Sequence, residues 1–322
     1  MAGEVQIAVD AGVATVTLNR PDQRNAMNTA LLQGLRAAFD SLDERRDVRV
    51  VVVRGAGPAF CSGMDLKEME QRRGEADPEG DVVEVLRRVE ASRHPTIAAL
   101  HGDAIAGGCE LALHCDLRVA AEPVRLGMPL ARIGLVIPFR LNQKLVEIIG
   151  PAHTRHLLFT GQPIDARRAY EIGMVHQVVP PAELASAVQA LARRVADNAP
   201  LSLAGIKASI QRTISARDGV AHADLDAAAN RARTSADAQE GRRAMLEKRK
   251  PSFRGEERRP QSGGVPAMSA ATARATGSSE AASASRVRPR STASRFWLSL
   301  ALPSSRAIGI SKATIPRCMP TT

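Results

Sequence analysis

The chain has few cysteines, and none of them is arranged as a pair. Its 322 residues include four, at positions 61, 109, 115 and 318, and no CxxC motif. The seven histidines are scattered without the spacing of metal ligands, so we expect no metal site. The N-terminus, MAGEVQIAVD, lacks the basic and then apolar build of a secretory signal. These features favour a reducing, cytoplasmic location.

Long apolar runs and nucleotide-binding loops are missing as well. The nearest thing to an apolar run in the C-terminal part, FWLSLAL at 296–302, is far shorter than the roughly 18 to 20 residues that cross a bilayer, so we expect no membrane crossing. No GxxxxGK[ST] phosphate loop occurs. The pair Gly55 and Gly57 does not form a dinucleotide motif, because Phe60 occupies the third glycine position and Pro58 interrupts the turn.

Acidic residues are nearly absent from the end of the chain. The formal net charge of +10 would suggest a nucleic-acid or acidic-membrane partner if it were spread evenly. Residues 258–322, however, hold ten Lys or Arg and one acid, Glu280, so the rest of the chain carries only +1. This tail is rich in Ala, Ser, Arg, Thr and Pro. We expect it to be disordered, because it cannot bury enough surface to offset the entropy lost on ordering.

Two interpretations of the basic tail stay open. It is either an accessory or non-native extension, or an arm that binds nucleic acid. No aromatic residues are interleaved with the charges and no known binding module accompanies them, which favours the first interpretation.

The rest of the chain has the composition and patterning of a folded α/β protein. The hydrophobic content of the whole chain, 44%, allows a core in one large domain or two ordinary ones. The pattern predicts a hairpin over residues 5–18, a helix over 29–42 capped by Asn28 or Thr29, and buried strands over 48–53 and 95–100. The repeated order of strand and then helix indicates α/β architecture.

Three regions are predicted along the chain. Residues 1–200 form the core, with an irregular loop over 125–138. Residues 181–246 are almost wholly helical in pattern, with a break at 198–200, so that 201–257 is expected to be a helical C-terminal subdomain. Residues 258–322 are the tail.

Two glycine-containing turns, each just after a buried strand, are the candidates for chemistry. They read PAFCSGMDLKEM at 58–69 and HGDAIAGGCE at 101–110. In such turns backbone N–H groups are left without carbonyl partners, and glycine lets a ligand approach the main chain. The second turn also opens a helix, whose positive end favours a developing negative oxygen. Together the two turns can form an oxyanion hole.

The chain resembles the enoyl-CoA hydratase/isomerase, or crotonase, superfamily over about residues 5–257. The resemblance rests on several motifs in order: TVTLNRPDQRNAMN, FCSGMDLKEM, IAALHGDAIAGGCELALHCDLRVAA, LGMPLARIGLVIP, LLFTGQPIDARRAYEIGMVHQVV and EKRKPSFRGE. It implies a spiral of ββα turns, a helical C-terminal region used in trimer assembly, often as a dimer of trimers, and a coenzyme A thioester substrate. CoA is then part of the substrate, and no separate cofactor is expected.

The resemblance also implies roles for individual residues. The oxyanion donors fall on the backbone N–H groups of Met64 and Gly107, and Glu110 matches the first of two catalytic glutamates. The position of the second is Leu130, which cannot transfer a proton, so we expect it to line the acyl pocket. Asp103 could replace the missing acid but is more simply an ordinary polar loop residue.

Further residues are expected to contact the substrate or its CoA moiety. They are Arg24, Ser62, Gly63, Asp65, Lys67, Gly108, Leu130 and Lys248, of which the cations would meet phosphates. Cys61 and Cys109 flank the two turns and are interpreted as small buried hydrophobic residues.

The resemblance favours an enoyl-CoA hydratase, a lyase that adds water to a 2-enoyl-CoA. Because Leu130 replaces the second acid, one-base reactions stay open: isomerisation, decarboxylation or thioester hydrolysis. Outside catalysis, the alternatives are a basic-tailed nucleic-acid-binding protein and an assembly protein that has lost turnover.

Overall fold

The computed structural model of the chain describes residues 3–71, 80–215 and 219–255. The predicted disorder of residues 258–322 lies outside them. Within the described ranges the chain forms nine strands and ten α-helices in one compact unit. None of these helices is long and apolar enough to span a membrane.

The strands are β1 (Val5–Asp10), β2 (Val13–Leu18), β3 (Val50–Gly55), β4 (Thr96–Leu100), β5 (Ala104–Ile105), β6 (Leu117–Ala121), β7 (Arg125–Gly127), β8 (Ile164–Asp165) and β9 (Gln177–Val179). The helices are α1 (Thr29–Asp43), α2 (Leu66–Gln71), α3 (Gly80–Glu90), α4 (Gly107–His114), α5 (Phe139–Thr160), α6 (Ala166–Glu171), α7 (Leu184–Ala196), α8 (Pro200–Ser215), α9 (Ala223–Thr234) and α10 (Ala236–Leu246). A kink at Gly150 divides α5.

The main sheet has six strands in the order β1-β2-β3-β4-β6-β9. β1 and β2 are antiparallel, with Val5 opposite Leu18, and the other neighbours are parallel. Every residue of β4 is buried, and α7 packs against β2, β3, β4 and β6. Because β3 and β4 are parallel neighbours, the two turns that follow them leave the same edge of the sheet.

The predicted hairpin and first helix are confirmed. The hairpin turn places Ala11 and Gly12 at positive φ values of 46° and 80°, the conformation that a two-residue hairpin loop requires. α1 is capped by Asn28, whose side chain accepts a hydrogen bond from the amide of Leu31 at 2.8 Å.

The prediction of an irregular loop over 125–138 was wrong in part. This stretch contains β7 and a 3₁₀ helix, Pro129–Ile133. β7 pairs with β5 and β8 in a second, three-stranded sheet. Strands of two or three residues are too short to show an alternating apolar pattern, so the sequence carried no signal for them.

The helical character of the C-terminal part is confirmed by α7 to α10, with the break between α7 and α8 at the predicted place. Both α8 and α10 pack on the sheet-containing part of the chain. Lys207 of α8 is buried and pairs with Asp116 (2.7 Å), and α10 packs against the 129–133 helix. The boundary at residue 200 between two domains stays a prediction.

Candidate active site

The first turn, residues 58–69, leaves the amide of Met64 unused. Gly63 has a φ of 92°, a conformation that residues with a side chain rarely adopt. The amide of Met27 donates to the carbonyl of Gly63 (2.7 Å), and the amide of Asp65 donates to the carbonyl of Met27 (2.9 Å). These bonds engage the groups on either side of Met64, whose own N–H has no acceptor among the described residues.

The second turn, residues 101–110, leaves the amide of Gly107 unused. Gly107 is the first residue of α4, so its N–H has no intrahelical acceptor. The carbonyl of Asp103 accepts from the amide of Cys61 instead (3.2 Å). Ala106, just before the helix, has φ 49° and ψ −119°, and its amide donates to the carbonyl of Gly127 (2.8 Å). Among the described residues, nothing accepts from Gly107, which lies at the positive end of the α4 dipole.

The two turns touch at their glycines. A methyl group added at Gly63 would lie 3.0 Å from the Cβ of Ala106 and 3.2 Å from the amide nitrogen of Gly107. The amide of Ile105 also donates to the carbonyl of Cys61 (3.0 Å), which ties the turns together. Met64 and Gly107 therefore lie beside each other and line one cavity.

Glu110 lines the same cavity from the first turn of α4. Its side chain is 0% exposed, and neither carboxyl oxygen has a hydrogen-bond partner among the described residues. Burial raises the pKa of Glu110 well above its ordinary value, and the charge of Lys144 opposes this only in part. A carboxyl group with a raised pKa and unused oxygens is suited to exchange a proton with a bound molecule.

We call this cavity the front pocket. Among its described lining residues, Glu110 is the only ionisable side chain and Ser62 the only hydroxyl. Leu130 is part of the wall, so no carboxyl group faces Glu110 from that position, and its contact with an acyl chain stays a prediction. The apolar lining comes from both turns, α2, α3, α5, α10 and residues 128–138: Met64, Leu66, Met69, Val82, Ile105, Ala106, Met128, Pro129, Leu130, Ile133, Leu135, Ile137, Pro138, Leu141 and Met245.

The predicted cationic contacts lie outside the described lining of the front pocket. Arg24, Lys67 and Lys248 are all exposed. Arg24 is nevertheless tied to the first turn, because its carbonyl accepts from the amide of Ser62 (3.1 Å). Lys248 follows α10, the helix that contributes Met245 to the pocket. Their contacts with CoA phosphates stay predictions.

Asp65 and Gly108 have structural roles in the two turns. The carboxylate of Asp65 accepts from the amide of Lys67 (3.1 Å) at the start of α2 and pairs with Arg20 (3.2 Å). A methyl group at Gly108 would lie 2.1 Å from the carbonyl oxygen of Cys61, so only glycine allows α4 to approach the first turn. Neither residue is among the described lining of the front pocket, and their contacts with substrate stay predictions.

Three other residues behave as the simpler interpretations predict. Cys61 and Cys109 are fully buried, and burial raises the pKa of both thiols, that of Cys61 to about 12. Asp103 pairs with Arg125 at 2.5 Å and does not line the front pocket among the described residues. In the part of the chain that the structure describes, no three His, Cys, Asp or Glu side chains lie close enough together to hold a metal ion.

Sequence reasoning did not single out Ala106 and Met245, which line the front pocket, or His114, which contacts the backbone of Glu110. The positive φ of Ala106 is a backbone property with no residue-type signal. Met245 reaches the pocket only because α10 folds back on residues 129–133, which no local pattern reveals. His114 had a signal, since it lies four residues after Glu110 and so on the same face of α4.

Comparisons with known proteins identify the family and the fold of the chain. The sequence model of the Enoyl-CoA hydratase/isomerase family matches residues 8–256. A short-chain-enoyl-CoA hydratase of Clostridium acetobutylicum is 33% identical over 241 residues, 74% of this chain and 92% of that protein. A crotonyl-CoA hydratase of Syntrophomonas wolfei is 33% identical over 251 residues, 75% of this chain and 94% of its own. A crystal structure of methylmalonyl-CoA decarboxylase complexed with 2S-carboxypropyl-CoA is 25% identical, with a TM-score of 0.74 over 80% of this chain and 100% of that one.

This chain belongs to the enoyl-CoA hydratase/isomerase family, and its fold is the crotonase fold. It is therefore a member of a family of enzymes that act on CoA thioesters.

Proposed function

We propose that the chain catalyses the addition of water to 2-enoyl-CoA thioesters, giving 3-hydroxyacyl-CoA. One observation carries the proposal: the unpartnered carboxyl of Glu110 shares an apolar pocket with the amides of Met64 and Gly107, which have no acceptor among the described residues. The relatives named as hydratases support the same reaction.

The two amides would hold the thioester oxygen. When an oxygen nucleophile adds to C3 of the enoyl group, the electron pair of the double bond moves towards the thioester, whose oxygen becomes an enolate. Amide donors fixed in a pocket with little water stabilise that charge, and each is typically worth about 2.7 to 4 kcal/mol of transition-state stabilisation.

Glu110 would serve both proton transfers. As a carboxylate it takes a proton from water while the water oxygen bonds to C3. The protonated Glu110 then gives that proton to C2 as the enolate collapses, so that one water has been added and the carboxylate is restored. A single group must do both, because Leu130 fills the place of a second acid in the wall of the pocket.

The lining favours an acyl chain without a charged substituent. Apart from Glu110, the described side chains of the front pocket carry no charge, so none of them pairs with a carboxylate on the acyl group. This supports an aliphatic enoyl chain rather than a carboxylated one such as the decarboxylase ligand carries. We place the CoA phosphates near the exposed cations Arg24, Lys67 and Lys248.

A second candidate, isomerisation of 3-enoyl-CoA, is favoured by Leu130. Here Glu110 would remove a proton from C2, the enolate would form on the same two amides, and the proton would return to C4. This reaction needs one base and no water, and the described pocket contains one ionisable side chain.

The experiment is a pair of assays, hydration of crotonyl-CoA and isomerisation of 3-hexenoyl-CoA, on the wild type and on Glu110→Gln. We expect the wild type to hydrate crotonyl-CoA and the variant to lose a factor of about 10² to 10⁴ in kcat. Asp103→Asn, which changes a carboxyl outside the described lining, should retain wild-type rates. Full activity of Glu110→Gln would contradict both reactions; isomerisation without hydration would select the second.

A further pair of variants tests separately what the backbone amide of Met64 and its side chain contribute to kcat. Gly63→Ala places a methyl group at φ 92° and 3.2 Å from the Gly107 nitrogen, which must displace the amide that follows. We expect it to lose about 10²-fold to 10³-fold in kcat, the cost of one oxyanion donor. Met64→Leu keeps the amide and should stay within a few-fold of wild type. Equal effects of the two changes would argue against an oxyanion hole at this position.

A further inference from the structure

The first turn of the active site lies against one stretch of chain, residues 20–28, which we call the support segment. This segment connects β2 to α1. Its residue Met27 forms a parallel bridge with Met64. Through that bridge the amide of Met27 donates to the carbonyl of Gly63, and the carbonyl of Met27 accepts from the amide of Asp65. The support segment therefore binds the residues on both sides of Met64.

Asn25, in the middle of the support segment, is fully buried. Its side-chain nitrogen Nδ2 lies 2.8 Å, 2.9 Å and 3.2 Å from the carbonyl oxygens of Ala59, Ala56 and Phe60. The group has two hydrogens, so one of them is shared between two of these carbonyls. The side-chain oxygen accepts from the amide of Arg20 (2.9 Å). One side chain thus joins the support segment to the stretch that leads from β3 into the first turn.

The position of Asn25 suits asparagine in both conformation and chemistry. Its φ of 55° lies in the left-handed region, in which asparagine is several times more frequent than most residues with a side chain. The end of β3 packs directly on it, since a methyl group at Gly55 would lie 2.6 Å from Nδ2. The thiol of Cys61 donates to the Asn25 carbonyl (3.1 Å). An aspartate of the same size would set carboxylate oxygens against three carbonyl oxygens.

Arg20, the first residue of the support segment, holds the turn on the other side of Met64. Its guanidinium group donates to the carboxylate of Asp65 (3.2 Å), the residue that follows Met64, and to the carbonyl of Ala26. The side chain is 13% exposed and also lies 3.4 Å from the carboxylate of Glu4. Two side chains of the support segment therefore hold the turn, one before Met64 and one after it.

The Met64 amide needs this support because its own turn does not fix its direction. A donor in an oxyanion hole acts through a direction that is set before the reaction begins. The residue before it, Gly63, has a φ of 92° and the weakest conformational restriction of any residue. A small rotation at Gly63 would turn the Met64 N–H away from the front pocket. The direction of that N–H must therefore be fixed by contacts with other parts of the chain.

We propose that Asn25 is a positioning residue of the active site. Its buried amide holds the support segment against the first turn and so directs the Met64 N–H at the thioester oxygen, while Arg20 fixes the far side of the turn. Neither side chain is among the described lining of the front pocket, so both act through Met64. This inference rests on the proposed function, because it assigns the Met64 amide to the thioester oxygen.

Asn25→Gly tests the proposal, since glycine keeps the positive φ and removes the side-chain hydrogen bonds. We expect kcat for crotonyl-CoA hydration to fall by roughly 10-fold to 100-fold, somewhat less than the loss of a whole oxyanion donor. The Kd of butyryl-CoA, a saturated analogue that cannot be hydrated, should stay within a few-fold of wild type, and its binding also counts the folded active sites. An unchanged kcat per active site would overturn the proposal.

Thr154→Val is the matched control. It removes another buried side-chain hydrogen bond to a backbone carbonyl, that of Gly150 (2.8 Å), and Thr154 is not among the described lining of the front pocket. This variant should be less stable than wild type and keep the wild-type kcat per active site. A loss of kcat equal to that of Asn25→Gly would show that destabilisation alone accounts for the effect, and would overturn the proposal.

A double variant separates action through Met64 from any other role of Asn25. Gly63→Ala already displaces the Met64 amide, so adding Asn25→Gly should lower kcat by no more than about threefold further. Losses that multiply would overturn the proposal. If Asn25→Gly does not fold, Arg20→Gln applies the same test at the other side of the turn, with the same expected and contrary results. A wild type that does not hydrate crotonyl-CoA would overturn the proposed function and this inference with it, whereas multiplying losses in an active enzyme overturn the inference alone.

Discussion

The burial of Glu110 has an energetic cost that the rest of the fold must offset. Burial raises its pKa, so the folded protein binds the proton of this carboxyl more tightly than the unfolded chain does. The stability that goes with the protonated form is complete at a pH below the pKa of the unfolded chain. It is lost as the pH rises towards the pKa of the folded state. The cost of burying this carboxyl group therefore grows as the pH rises above the pKa that it has in the unfolded chain.

We predict that Glu110→Gln is more stable than the wild type at pH 7 and that the difference closes near pH 4. Glutamine has the same size and no charge to bury, so the gain should grow by about 1.4 kcal/mol for each pH unit between the two pKa values. Urea unfolding at several pH values measures it. Glu122→Gln, an exposed position, should show no such gain. A variant less stable than wild type at every pH would contradict the prediction.

At single positions, the sequence predicted what depends on residue type. Glu110 and Leu130 could be identified because their chemistry follows from their side chains and their place in the motifs. The structural roles of Asp65 and Gly108 could not be predicted in this way. Asp65 is engaged by Arg20, 45 residues away, and Gly108 packs on Cys61. Contacts between distant parts of the chain decide such roles, and one sequence does not display them.

Helix α10 connects the C-terminal part of the chain to the front pocket. A methyl group at Gly241 would lie 2.4 Å from the Cα of Ile133, so the helix packs backbone against backbone. Arg242 is buried and pairs with Glu70 of α2 (3.1 Å). Ser235 caps the first turn by accepting from the amide of Ala238 (3.1 Å). The backbone of α10 is thus fixed from three sides, which fixes where Met245 meets the pocket.

We predict that Met245→Ala shifts the preference of the enzyme towards longer acyl chains. The change removes three heavy atoms from the wall without touching the contacts that hold α10. The ratio of kcat/KM for 2-decenoyl-CoA to that for crotonyl-CoA should rise by about tenfold, the scale of one or two methylene groups in an apolar pocket. Leu246→Ala, the neighbouring exposed residue outside the described lining, should leave the ratio unchanged. An unchanged ratio in Met245→Ala would exclude it as a determinant of chain length.

The longer elements were predictable, and the short ones were not. α1 and the first hairpin have six or more residues with a clear period, and local chemistry marks their ends, Asn28 for the helix and Gly12 for the turn. β5, β7 and β8 have two or three residues each, and their pairing across the chain defines them. The second sheet, which supports the second turn, was therefore invisible to periodicity.

On the scale of the whole molecule, α8 carries an apolar surface that the described chain does not cover. Lys207 fixes the orientation of the helix, because its ammonium group donates to Asp116 (2.7 Å) and to the carbonyl of His94 (3.1 Å). With Lys207 directed inward, Ile206 and Ile210, which lie one helical turn apart on the same face, are 58% and 55% exposed. Exposed aliphatic residues side by side on one helix face are typical of an interaction surface.

We propose that copies of this chain associate through α8 into the trimer or hexamer that the family resemblance implies. Changing Ile206 and Ile210 together to Lys puts two charges where apolar burial would stabilise contact by roughly 1.5 to 3 kcal/mol per side chain. Light scattering after size exclusion should then show the double variant shifted from the mass of an oligomer to that of one chain. Ser209→Lys adds a charge to the same helix at an exposed polar position and should keep the wild-type mass. If the wild type elutes as a single chain, or the double variant keeps an oligomer's mass, α8 is not the contact.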